Sequence, residues 1–168
     1  MKKYIIALFA GLIVVTQGCA MKDWQTSLTE QSGASLFRQP LYTLIKDFRF
    51  YNEEQFNRWV QITNENIDRL VTNKIPSSKN AMDIVKSVTR DGVDILKQLA
   101  RKQQTQKSFE NTLASLQKML SIAKSYLPSK PFTNKDQEAA RQLAIQIIEF
   151  WNNEFLLTIR KQVIDYFM

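Results

Sequence analysis

From residue 36 onward, apolar side chains recur at steps of three and four, the period of a helix that buries one face. Pro40 suits a first helical turn, and Leu41, Leu44, Ile45 and Phe48 follow it, predicting a short helix over about 40–50. Asn52 with Gln55 three residues on reads as a capping box. It opens a second helix whose face is Phe56, Trp59, Val60, Thr63, Ile67, Leu70 and Val71. Pro76 ends that helix by pushing Ile75 out of helical geometry.

The next helix starts near 78–80, and its stripe runs Val85, Val88, Gly92, Ile95, Leu99, then the polar Lys102 and Gln106, then Phe109, Leu113, Leu116, Leu120, Ala123 and Leu127. Two architectures fit. A turn at the polar gap gives a hairpin of two helices of about 22 residues each, whereas no turn gives one helix over 80–127. The phase survives the gap and no Gly or Pro lies between Gly92 and Pro128, so a continuous or kinked helix is expected. Pro128 and Pro131 turn the chain. Thr133 with Asp136 then predicts the cap of a last helix over 134–166, with a face of Ala140, Ala144, Ile147, Ile148, Trp151, Phe155, Ile159, Val163 and Phe167. Phe150, Trp151, Phe155, Leu156 and Leu157 cover more than one side of it, so more than one element must bury them. The fold class expected is all-α: a single bundle of about four helices over 36–168.

The residues before 36 follow another pattern. Lys2 and Lys3 precede an uncharged apolar run, Tyr4 to Val15, which ends in Val15-Thr16-Gln17-Gly18-Cys19. A basic start, a short apolar region and a small residue before the cut are the three parts of a secretory signal. The run is shorter than the roughly 20 residues a spanning helix needs. Residues 20–35 are polar and aperiodic, the pattern of a flexible tether.

This segment resembles a bacterial lipoprotein signal peptide. The resemblance implies that 1–18 are removed, that the Cys19 sulfur receives a diacylglyceryl group, and that the new amine is acylated. One chain binds a membrane only marginally, while several hold for the protein's lifetime. By the sorting rule of enteric-type bacteria, Ala20 in place of Asp implies the outer membrane, with the domain facing the periplasm.

Composition narrows the chemistry. Cys19 is the single cysteine and histidine is absent, so an exported chain must hold this fold by packing alone. The commonest general base and metal ligand are missing as well. Only four glycines and four prolines occur, which suits long helices. The formal charge of +7 drops to +5 without Lys2 and Lys3; it favours anionic neighbours in an envelope setting, although solubility alone accounts for it.

Glu53-Glu54 and Asp91-Gly92-Val93-Asp94 are the nearest approach to a cation site, and neither has the spacing of a calcium loop. The first pair is better read as acid in the opening turn of a helix. No strained nucleophile turn or phosphate cradle is evident. The expectation is therefore no enzyme, no cofactor and no metal. The stretch 97–107 carries Lys97, Arg101, Lys102 and Lys107 without an acid. A solvated helix surface or turn is the plainer reading, and an anionic contact the sharper one. Trp151 and Phe155 are the candidates for lining a groove, against the plainer reading that aromatics at helical spacing are core.

Two functions remain. One is a non-enzymatic, membrane-anchored envelope lipoprotein whose helical domain binds another envelope protein; helical pilotins are similar in architecture and anchoring, and exclusion lipoproteins fit as well. The other is a lipid or lipopolysaccharide-binding module that uses aromatic faces and the basic stretch. Nucleic acid is not an expected partner of an exported chain.

Overall fold

A computed structural model describes Phe37, Leu41, Leu44, Ile45, residues 47–102 and residues 104–168. The signal segment, Cys19 and the tether lie outside them. Among the described residues the regular structure is helical throughout. The main elements are α1 (Glu53–Ile67), α2 (Lys79–Ala100), α3 (Gln106–Ser125), α4 (Lys135–Phe150) and α5 (Leu156–Phe167). A π turn over Asp68–Thr72 extends α1, and a second over Trp151–Phe155 joins α4 to α5. The last two helices therefore form one long rod.

The helix over about 40–50 is revised. Leu41 and Leu44 are helical, but Ile45 and Asp47 are not, and Phe48–Phe50 is a separate 3-10 turn. Asp47 caps that turn by accepting the Arg49 N–H at 2.9 Å. The cap on α1 is as expected, with the Asn52 side chain accepting the Gln55 N–H at 3.1 Å. At α4 the cap shifts by one residue. Asn134, not Thr133, accepts the N–H groups of Asp136 and Gln137 at 2.9 and 3.1 Å. Glu138 holds the approach to the helix by accepting the Phe132 N–H at 2.9 Å.

The continuous helix over 80–127 is also corrected: the chain turns between α2 and α3. Lys102 has φ of 56°, the left-handed conformation that commonly follows a helix C-terminus. A side chain there costs about 1–2 kcal/mol, which is why glycine usually takes the position. The terminal N–H groups are met by Arg101 donating to Lys97 O and Lys102 to Leu99 O, each at 3.1 Å. Thr105 then restarts the helix by accepting the Ser108 N–H at 3.4 Å.

Packing follows the stripes. Every predicted apolar position of α2 and α3 from Val85 to Ala123 is buried, while Lys102 and Gln106 are exposed at the turn. Helix α3 runs antiparallel to the α4–α5 rod, since Lys124 lies 3.9 Å from Glu149 and Phe109 packs 6.2 Å from Phe167. Helix α1 runs antiparallel to α2, fastened by Glu53 to Lys97 and Arg101 at one end and by Asp68 to Lys86 near the other. Gly92 lets α2 approach the rod. A β-carbon there would stand 2.6 Å from Phe155 Cε1 and 2.8 Å from Ile159 Cδ1, closer than real side chains tolerate.

Candidate functional site

The ends of α1, α2, α3 and α5 meet at the α2–α3 turn, which divides the basic stretch in two. Lys97 bonds Glu53 Oε1, and Arg101 Nη2 lies 3.1 Å from Glu53 Oε2. The Lys97 hydrogen bond holds the Glu53 carboxyl below the usual carboxylate range. Nearby, burial pushes the Tyr51 phenol upward, assisted by the charges of Glu53 and Asp94. Lys102 and Lys107 are exposed, and among the described residues neither forms an ion pair. Two of the four cations are thus internal ties, and two are left to solvent.

The same end carries apolar surface. Phe50 is 81 % exposed, and Ile164 and Phe167 of α5 are exposed as well. The Phe48 N–H donates to Gln162 Oε1 at 2.7 Å, and the Phe48 ring meets Tyr166 edge-on at 5.3 Å, so the 3-10 turn is fixed to α5. Between α3 and α5, Glu110, Arg160, Val163 and Ile164 line an open depression of about 300 Å³. It is shallow and mixed in character, without convergent reactive groups.

Trp151 and Phe155 do not belong to this surface. Both are fully buried, so the proposal that they contact a partner is corrected: they are core. The Trp151 indole N–H donates to Thr89 Oγ1 at 2.7 Å, and the Thr89 hydroxyl donates to Val85 O at 2.8 Å. Phe37 and Phe150 meet the Trp151 ring edge-on at 5.2 and 5.1 Å, and Phe155 lies 5.8 Å away. The π turn explains why aromatics cover more than one side of the last helix. Its wider winding places Phe150, Trp151, Phe155 and Leu156 all in the interior, and Leu157 alone of that group is exposed.

A second set of buried groups was missed in the sequence. Among the described residues, Trp59 Nε1, Thr63 Oγ1, Asn64 Oδ1, Asn66 Nδ2 and Thr72 Oγ1 are buried and find no hydrogen-bond partner. All five belong to α1 and its π extension. A buried group left unmet costs about 1–3 kcal/mol, a sizeable fraction of the roughly 5–15 kcal/mol that stabilises a typical domain. Thr63 within the apolar stripe was the one signal available.

Among the described residues, no three of His, Cys, Asp and Glu converge on a metal position, and no helix is long and apolar enough to cross a membrane. No family model, curated protein or solved structure matches this chain.

Proposed function

We propose that the protein is a non-enzymatic envelope lipoprotein, anchored to the outer membrane by lipid on Cys19, whose helical domain binds another envelope protein. The observation that carries the reading is the position of Cys19, alone of its kind, after Gly18 and an uncharged apolar run. An all-helical bundle suits an adaptor, and the α2–α3 turn end offers the contact. There Lys102 and Lys107 are unpaired among the described residues, and Phe50 stands in solvent. Metabolic labelling with a fatty-acid analogue tests the anchor: wild type takes the label and Cys19→Ser loses it. Equal labelling of both contradicts it. A photo-crosslinking residue at position 50 or 102 tests the contact in the native host, where one discrete protein adduct is expected and its absence contradicts the reading.

The lipid-binding alternative loses its aromatic groove, because Trp151 and Phe155 are packed inside. Its remaining support is Ile164 with Arg160 at the depression between α3 and α5, and the exposure of Phe50, Lys102 and Lys107. Crosslinks to lipid rather than protein from position 50 would favour it.

A further inference from the structure

Trp59, Thr63 and Asn66 follow one another at steps of four and three, so they stack along one strip of α1. They are 4 %, 0 % and 6 % exposed. Among the described residues Trp59 Nε1, Thr63 Oγ1 and Asn66 Nδ2 do not bond one another or any other group. The indole and amide nitrogens can only donate and the hydroxyl can do both, while Asn66 Oδ1 accepts from Arg69 Nη2 at 3.1 Å. Across the seam the Phe155 ring stacks on Trp59 at 6.1 Å and offers no acceptor. What the strip lacks is a further oxygen that both accepts and donates. No ionised side chain is among the three residues, and Arg69 keeps an exposed position at the rim, so a buried ion would lack a counter-charge.

We infer that this strip of α1 is a water-binding seam, in which internal water bridges Trp59 Nε1, Thr63 Oγ1 and Asn66 Nδ2. Water is the smallest species with the required pairing of acceptor and donor, and internal waters typically make about three hydrogen bonds to such groups. Leaving the strip dry would strand three buried polar groups, each at a cost to the fold. The other buried tryptophan supplies a control within the same chain. Trp151 has its donor met by Thr89 Oγ1 at 2.7 Å, so no water is required at that indole.

The test is water-to-indole cross-relaxation by NMR on the full chain in detergent micelles, with tryptophan labelled by ¹⁵N and the signals assigned through Trp24→Phe and Trp59→Phe. A cross-peak between water and the Trp59 indole proton, with none at Trp151, is the expected result. No cross-peak at Trp59, or peaks of equal strength at both, overturns the inference. Wild type alone carries the reading, so a poorly folded Trp59→Phe affects only the assignment, which Trp24→Phe and a Trp151→Phe sample then complete.

Discussion

Two buried tryptophans, Trp59 and Trp151, both pack against Phe155, and their surroundings differ. Around Trp151 every polar need is met by protein: the indole donates to Thr89, Thr89 donates to the α2 backbone, and edge-on rings surround the rest. Gly92 allows α2 close enough to the rod for this arrangement. Around Trp59 a single ring, Phe155, stacks on the indole, and the indole and two polar side chains beside it find no partner among the described residues. The first seam is closed by packing and directed hydrogen bonds; the second needs water to close. Burial alone therefore does not describe how tightly a helix is held, because the polar atoms carried inside decide what each seam costs.

The largest expected effect falls on the closed seam. Trp151→Ala should lower stability by about 3–5 kcal/mol, seen as a fall in melting temperature together with loss of any captured partner. An unchanged melt with lost capture would return Trp151 to a binding role. Gly92→Ala comes next, at about 1–3 kcal/mol by overpacking, because the new methyl meets Phe155 and Ile159 within the packed interior. Thermal denaturation that leaves Gly92→Ala level with wild type would show that the rod shifts freely, and the picture of a tight α2–rod contact would fail.

A smaller effect lies outside both seams. Hydrogen bonds from Arg141, then Gln142 and the Phe132 N–H, hold the Glu138 carboxyl well below its ordinary 4.5, at about 2. A depressed folded value gives stability that is complete above the unfolded value and is lost as pH falls toward the folded one. The contribution should therefore fade between about pH 4.5 and 2. Glu138→Gln should flatten that part of the acid limb in melts recorded against pH, and an unaltered limb would remove Glu138 from the account.

Much of this arrangement was legible in the chain. The stripes named most of the core, because a helical period and a buried face are the same physical fact, although Phe167 is exposed and Val60, Leu70 and Leu127 are only half-buried. Asn52 was legible as a cap because nothing near it competes. Thr133 was misread because Asn134, next to it, offers an equally short acceptor one residue later. The α2–α3 turn was read as helix since its signals are weak ones: a lysine takes the left-handed position that glycine usually marks, and the apolar phase continues across the gap by coincidence. The π turn left a trace as apolar residues on too many sides, but the sequence carries no separate mark of its wider winding. At the α2–α3 turn, the positions of the basic residues were readable, whereas the capture of Lys97 and Arg101 by Glu53 depends on a contact between residues far apart in the chain. The unmet strip on α1 was beyond reach for the same reason, because only the facing surface reveals that Thr63 and Asn66 lack partners.

The central claim, that protein atoms close the Trp151 seam and water closes the Trp59 seam, is tested most directly by paired thermal melts of Thr89→Val and Thr63→Val. Both changes swap a buried hydroxyl for a methyl on a helix. Thr89→Val strips the Trp151 indole of its acceptor and should cost about 1–3 kcal/mol. Thr63→Val leaves the water its other partners and should cost less than about 1 kcal/mol, since a water-mediated bond replaced at one contact loses little. Equal losses, or a Thr63→Val protein melting several degrees above wild type, would contradict the claim.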